Sequence, residues 1–149
     1  SYNGLDCIDL LFSANNGQDL KPLVNIASGG EIARLMLCIK KHLFSIANTK
    51  TIIFDEIDSG VSGEIGFKMG KILKSMSLSN QIICITHLPQ IASLGLNHYQ
   101  VIKKSDSLTT TTNIIKLSIG KRVKEIARML SGEIINKEAI ANAKKMLDI

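Results

Sequence analysis

The chain has 149 residues, which is enough for one domain with a hydrophobic core. Its hydrophobic content of 45% and mean hydropathy of +0.18 exclude an intrinsically disordered chain. No apolar run is long enough to span a membrane, and the first residues lack the pattern of a signal peptide. We therefore expect residues 1–149 to form one folded unit.

The net charge of +5 is concentrated in the last third of the chain. Residues 1–99 contain eight basic and eight acidic residues, whereas residues 100–149 contain ten basic and five acidic ones. This excess of positive charge favours an anionic partner such as nucleic acid. A solvated basic face explains the same charges equally well, because aromatic residues are scarce among them.

The three cysteines, Cys7, Cys38 and Cys84, lie in apolar runs and lack the spacing of a metal site. Because their number is odd, they cannot all form intramolecular disulfides. We expect buried free thiols, which indicates a reducing, cytoplasmic environment.

The most informative stretch is Thr51 to Glu56, an apolar run that ends in two adjacent carboxylates. Its length and β-branched residues predict a buried parallel strand. Burying unpaired carboxylates is costly, and ligands of open α/β sheets bind at the carboxyl ends of strands. Asp55 and Glu56 at such an end fit nucleotide hydrolysis, in which one acid holds Mg²⁺ and the next polarises water. An ordinary acidic turn after a strand is the alternative.

The first third of the chain predicts a strand, a loop and a long helix. Residues 5–13 read as a strand and residues 18–25 as a loop, because Pro22 denies a regular helix there. The helix extends to about Ala47, and its predicted buried face is formed by Ile32, Leu35, Met36, Ile39, Leu43 and Ile46.

The start of this helix is unusual for its two glycines. Ser28 and Glu31 match a capping box, which is a purely structural explanation for both. It does not explain Gly29 and Gly30, since each glycine in a helix costs up to about 1 kcal/mol relative to alanine. A ligand that approaches the backbone closely explains the pair, and a helix N-terminus with a serine hydroxyl suits a phosphate.

A βαβ unit follows the acidic strand. Residues 57–63 predict a polar loop, residues 63–77 a helix with a buried stripe, and residues 81–86 a second apolar strand. The two strands should be parallel, which places His87 at the same sheet edge as Asp55 and Glu56. A lone histidine is more often a packing residue, but this position favours a phosphate contact.

The remainder predicts a short helix, a hairpin and two helices. The short helix covers residues 88–94, and an antiparallel hairpin joins residues 98–104 to 109–117. The last helices cover residues 120–130 and 137–147. In the first of these, Val123, Ile126, Ala127 and Leu130 should face inward, and the basic side chains should face mostly outward, namely Lys121, Arg122, Lys124 and Arg128.

Four of these segments resemble motifs of ABC-type ATPases in order and spacing. Ser28–Glu31 resembles the signature motif, Ile52–Glu56 the Walker B strand, Asp58 the D-loop aspartate and His87 the switch histidine. The residues around these motifs, such as the run Thr86-His87-Leu88-Pro89-Gln90, are similar to the sequences of SMC-like ATPases of bacterial DNA repair. ABC transporters, a weaker possibility, usually carry glutamine at the position of Glu31.

The resemblance implies a role for each matching residue. Asp55 would help to hold Mg²⁺, Glu56 would be the general base and His87 would contact the γ-phosphate of ATP. The signature residues Ser28, Gly29 and Gly30, with Glu31 in the same motif, would bind ATP held by a second subunit. Asp58 would link the two sites across this homodimer of heads.

One motif of the family is missing from these residues. The phosphate-cradling Walker A pattern, Gly-x-x-x-x-Gly-Lys-Ser/Thr, is absent, and no heptad run is sustained. The resemblance therefore implies an α/β fold that is the C-terminal lobe of a split ABC-type head. Such a lobe has a mostly parallel sheet flanked by helices, with a C-terminal hairpin and helices.

This lobe would be completed by an N-terminal Walker A lobe of the same protein. We expect the lobe alone to be inactive, and the full protein to act on DNA in the cytoplasm, associated with the nucleoid. The alternative is an SMC-like module that holds DNA, in which nucleotide-driven closure is the function and turnover is not.

Overall fold

A computed structural model describes residues 4, 8–13, 17, 19–25, 29–43, 50–105 and 109–149. Predictions that concern Cys7, Ser28 and the end of the first helix beyond residue 43 lie outside the described residues. None of the helices in the described ranges is both long and apolar enough to cross a membrane.

The N-terminal part contains two short antiparallel strands, β1 (Leu11–Phe12) and β2 (Lys21–Pro22). A 3₁₀ turn, Leu23–Asn25, follows directly. The predicted loop over residues 18–25 was therefore wrong in part. Pro22 is compatible with β2 because a strand of two residues at a sheet edge needs few backbone donors.

The first helix, α1 (Gly29–Leu43), buries a different face from the predicted one. Leu37 is its buried residue, and Ala33, one turn earlier, packs against the same core. Ile32, Met36 and Leu43 from the predicted face are exposed. The periodicity marked an apolar face correctly, but no element of the described residues covers it.

The exposure of α1 also corrects the prediction for one cysteine. Cys38 follows the buried Leu37 in α1, and successive helical residues point in different directions. Its thiol is exposed, whereas Cys84 is partly buried. Both are free thiols, as predicted.

The centre of the fold is the βαβ unit of β3 (Thr51–Asp55), α2 (Gly63–Met76) and β4 (Gln81–Ile85). The two strands are parallel and in register from Thr51 opposite Gln81 to Asp55 opposite Ile85, which confirms the prediction. The core is formed by apolar side chains of β3, the following turn, α1, α2 and α3, namely Leu37, Ile52, Phe54, Ile57, Val61, Met69, Leu73, Met76, Leu88 and Ile91.

Only one face of this sheet is buried in the described part of the chain. Ile52 and Phe54 point into the core, whereas Ile53 is 61% exposed and Ile83 and Ile85 on β4 are 44% and 50% exposed. The expectation of a buried strand therefore holds for one face of β3 only within the described residues. Alternate residues of a strand point to opposite faces, and the core described above covers one of them.

The C-terminal third follows the predicted order. A short helix, α3 (Pro89–Ala92), precedes an antiparallel hairpin of β5 (Tyr99–Ser105) and β6 (Thr110–Lys116). Two helices, α4 (Ile119–Ser131) and α5 (Lys137–Leu147), then pack together. A second apolar cluster lies between them and contains Val123, Ile126, Ala127, Ala139 and Ala143.

On α4, the predicted orientation of Leu130 was wrong, and Arg122 is an exception among basic side chains that face mostly outward. Leu130 is 38% exposed, because the apolar contact with α5 is made by the turns before it. Arg122 turns inward, and its guanidinium donates to the backbone carbonyls of Ala92 at 3.3 Å and Ser93 at 2.8 Å. These carbonyls lie at the end of α3, where helical carbonyls lack partners. Arg122 thus fastens α4 to the segment that follows the central sheet.

Candidate functional site

The carboxyl ends of β3 and β4 form one polar edge. Asp55 and Ile85 are directly paired there, and the Glu56 amide donates to the Ile85 carbonyl at 3.2 Å. The chain therefore leaves β3 at Glu56 and β4 at Thr86 from neighbouring positions. The side chains of Asp55 and Glu56 are exposed. The structure thus brings the two acids next to the segment that carries His87.

Glu56 has an uncommon backbone conformation, with φ at 47°. A left-handed conformation costs a residue with a side chain about 1–2 kcal/mol, and such residues concentrate at functional sites. Here it opens a tight turn, in which the Ser59 amide donates to the Glu56 carbonyl at 3.1 Å. Gly60 continues the turn at φ 68°, where glycine is tolerated without strain. The turn thus ends β3 and carries the chain to Asp58.

Asp58, in the middle of this turn, is completely buried. Its Oδ2 accepts hydrogen bonds from the Thr86 hydroxyl, from the His87 amide at 3.0 Å and from the Leu88 amide at 3.2 Å. The Leu88 amide also lies 3.0 Å from Thr86 Oγ1. One carboxylate oxygen therefore fixes three consecutive residues after β4.

The His87 ring lies against the same oxygen. Its Nδ1 is 3.2 Å from Asp58 Oδ2, while 65% of the His87 side chain remains accessible to solvent. The other carboxylate oxygen, Oδ1, is buried and has no hydrogen-bond partner within the described residues. Sequence reasoning identified Asp58 and His87 but missed Thr86 and the intramolecular contact. No sequence pattern indicated this contact, because its two partners lie 28 residues apart in the chain.

Gly29 and Gly30, which resemble part of a signature motif, lie at the first turn of α1, and Gly30 contacts the turn of Asp58. A Cβ added at Gly30 would lie 2.5 Å from the Ser59 carbonyl oxygen, which no real side chain tolerates. A Cβ at Gly29 would meet nothing within 4 Å among the described atoms. Close packing thus explains Gly30, whereas Gly29 stays open to a ligand. Glu31 is half-buried, and Ser28 lies outside the described residues.

Cys84 on β4 lies near the carboxylates of this edge, and its pKa is affected by them. Burial, followed by the nearby carboxylates of Asp58 and Asp55, raises the pKa of its thiol from 9.0 to about 12. A thiol with so high a pKa is a poor nucleophile and metal ligand near neutral pH. Cys84 is therefore an inert packing residue and not part of the chemistry.

The donor set at this edge suits a cation shared with a bound phosphate. Within the described residues, no group of three or more acids, histidines or cysteines could hold a metal ion on its own. Mg²⁺ in nucleotide sites is held by one or two carboxylates together with substrate phosphates and waters. The exposed carboxylate of Asp55 fits that requirement.

The chain is similar to bacterial DNA repair proteins over nearly its whole length. It is 40% identical over 144 residues to RecN of Vibrio cholerae, which covers 97% of this chain and 26% of the relative. It is 39% identical over 144 residues to RecN of Bacillus subtilis, with 97% of this chain and 25% of the relative covered. The chain thus spans about a quarter of the length of these curated relatives. No protein-family model matches it.

The fold is similar to that of SMC heads. The Smc head domain from Pyrococcus yayanosii superposes with a TM-score of 0.63 and 23% identity, over 77% of this chain and 21% of that one. An SMC ATPase described for ATP-driven dimerization and DNA-stimulated activation superposes with a TM-score of 0.59 and 21% identity, over 79% of this chain and 70% of that one. The chain therefore has the fold of part of an SMC ATPase head and is homologous to the C-terminal part of the DNA repair protein RecN.

Proposed function

We propose that the chain is the C-terminal ATPase lobe of a RecN-like protein of double-strand break repair and recombination. The observation that carries this proposal is the shared edge of β3 and β4, where Asp55 and Glu56 meet the segment of His87. The similarity to RecN over 97% of the chain supports it. The sequence lacks a Walker A motif, so an N-terminal lobe of the same protein has to supply the phosphate-cradling loop.

Within one subunit, the two acids divide the work at the sheet edge. Asp55 holds Mg²⁺, which when bound neutralises phosphate charge. Glu56 accepts the proton of the attacking water, since its exposed carboxylate stands one residue beyond Asp55. The left-handed backbone at Glu56 begins the turn that brings Asp58 to residues 86–88 beside this edge. His87 reaches the γ-phosphate through its exposed ring.

The signature segment serves a second subunit in the homodimer. Gly29 and Gly30 stand at the amino end of α1, where backbone amides without helical partners attract a phosphate. Ser28 adds a hydroxyl, and Glu31 lies in the same first turn. Together with Asp58, these residues connect the two nucleotide sites when the heads engage. SMC ATPases with ATP-driven dimerization share this fold, which supports the arrangement.

The exposed face of the β3–β4 sheet is evidence that a partner lobe packs there. Ile53, Ile83 and Ile85 form an apolar surface on β3 and β4, and neighbouring strands rarely leave such a surface to water. The N-terminal Walker A lobe covers this face in the proposed head. DNA binds the complete protein, and the basic residues 100–149 contribute to that contact. Filter binding of DNA across a salt series tests this contact. If the chain shows no salt-sensitive binding to DNA, the DNA contact is removed from the proposal.

Substitution of Glu56 by glutamine tests the catalytic assignment in the full-length protein. Glu56→Gln keeps the shape of the side chain but removes the base, so ATP hydrolysis and repair should be lost while ATP-dependent dimerisation persists. Glu64→Gln is the matched control, because Glu64 is an exposed acid whose partner is Lys68 at 2.8 Å. The Glu64→Gln variant should keep both ATP hydrolysis and repair.

The same variant separates the proposal from its alternative. If Glu56→Gln abolishes hydrolysis but repair survives, closure on nucleotide is the function and the protein acts as a DNA-holding module. If hydrolysis persists in Glu56→Gln, the assignment of the base is wrong.

A further inference from the structure

The turn that contains Asp58 touches two distant segments at once. Asp58 contacts residues 86–88, and the next residue, Ser59, contacts Gly30 at the start of α1. Its buried carboxylate is costly, and a simple turn does not require one. The hydrogen bonds it makes converge on the residues around His87, which points to a role at that histidine.

We propose that Asp58 is a positioning residue for His87, and that its turn couples His87 to the amino end of α1. The proposal rests on the function assigned above to His87, the contact with phosphate. It gives Asp58 a task inside one subunit, in addition to any contact across the dimer.

Asp58 holds both the backbone and the ring of His87. The amides of His87 and Leu88 converge on Oδ2, so the backbone on either side of the His87 ring has one reference point. Nδ1 lies 3.2 Å from the same oxygen. A carboxylate at this distance favours a proton on the nearby ring nitrogen through its charge. Asp58 therefore favours a proton on Nδ1, and Nε2 is the nitrogen left for a ligand.

The contact at Gly30 connects this arrangement to the signature segment. The Ser59 carbonyl already lies as close to Gly30 as packing allows, since an added Cβ would be 2.5 Å away. Packed interiors transmit displacements of this kind because they contain few voids. A shift of the α1 amino end, where the phosphate of a second subunit is proposed to bind, therefore moves Ser59, then Asp58, and finally His87.

The ring protonation of His87 reports directly on this link. The natural protein with its full chain is labelled with ¹⁵N at histidine, and His87 is assigned from the signals lost in His87→Gln. In the nucleotide-free wild type, we expect the Nδ1–H tautomer to predominate. In Asp58→Asn, the ratio of Nδ1–H to Nε2–H should fall about threefold, since the neutral amide lacks the charge that attracts a proton to Nδ1. Glu64→Gln should leave the ratio unchanged.

A pair of glycine variants tests the coupling without touching Asp58. Gly30→Ala forces the Ser59 carbonyl to move and should shift the ring and amide signals of His87. Gly29→Ala adds the same methyl group one residue earlier, where it meets nothing within 4 Å in the described part of the chain. This control should leave the His87 signals in place.

Two results would overturn the proposal. An unchanged tautomer ratio in Asp58→Asn removes Asp58 as a positioning residue. Identical His87 signals in Gly30→Ala and Gly29→Ala remove the coupling, and this pair decides the question if Asp58→Asn does not fold. Because all spectra are recorded without nucleotide, a failure of the link is distinguished from a failure of Glu56 as the base.

Discussion

Replacing Asp58 by alanine should destabilise the chain more than any single surface change. The substitution leaves the Thr86 hydroxyl and the His87 amide without their acceptor, whereas the Leu88 amide keeps Thr86 Oγ1 at 3.0 Å. Each hydrogen bond to a charged group contributes about 1.5–3 kcal/mol. Removing the buried and unpaired Oδ1 gives some of this back. The net loss should be about 2–4 kcal/mol in the free energy of unfolding.

The loss is measured by urea unfolding of the 149-residue chain, followed by circular dichroism. Asp58→Asn should cost about half as much, because the amide oxygen can still accept from the His87 amide. Ser62→Ala is the control, since Ser62 is exposed and its side chain makes no capping hydrogen bond in the described structure. It should stay within about 0.5 kcal/mol of the wild type. An equally small effect for Asp58→Ala would show that the buried carboxylate does not hold residues 86–88.

Three further predictions concern a helix cap and a cysteine. Asn136→Ala should lower the free energy of unfolding by about 1 kcal/mol, because Asn136 caps α5 by accepting from the Ala139 amide at 2.7 Å. Ser118→Ala is the control, since Ser118 before α4 makes no such bond in the described residues and should cost less in the same urea assay. At pH 8, iodoacetamide should label the exposed Cys38 and spare Cys84, whose pKa is raised to about 12; equal labelling rates would contradict this. Between pH 9.0 and about 12, Cys84 should lower the free energy of unfolding as pH rises, since the unfolded thiol loses its proton first.

Much of the fold could be predicted because local patterns determine it. The parallel pairing of β3 and β4 follows from two apolar runs separated by one helix, since such a crossover leaves few other arrangements. The buried faces of α1 and β3 could not be predicted in the same way. Periodicity shows which side of an element is apolar, but not whether another element covers it. The exposed Ile53 and Met36 are apolar residues of this kind.

The site was predictable at the level of its residue types and not of its contacts. The acids after β3 and the histidine after β4 were identified because parallel strands end at one edge. The left-handed backbone of Glu56 and the hydrogen bonds of Asp58 depend on the exact path of the turn between them. Sequence spacing does not encode that path. Arg122 was missed for a similar reason, since its carbonyl partners lie about 30 residues away.

The most direct test of the proposed function is ATP hydrolysis by this chain mixed with the predicted N-terminal Walker A lobe. Wild type and Glu56→Gln are compared in the mixture, and each lobe is assayed alone. Hydrolysis that appears only in the wild-type mixture, and is lost in Glu56→Gln, is the predicted result. Hydrolysis by this chain alone, or a folded and bound mixture that stays inactive, would contradict the assignment of this chain as half of an ATPase head.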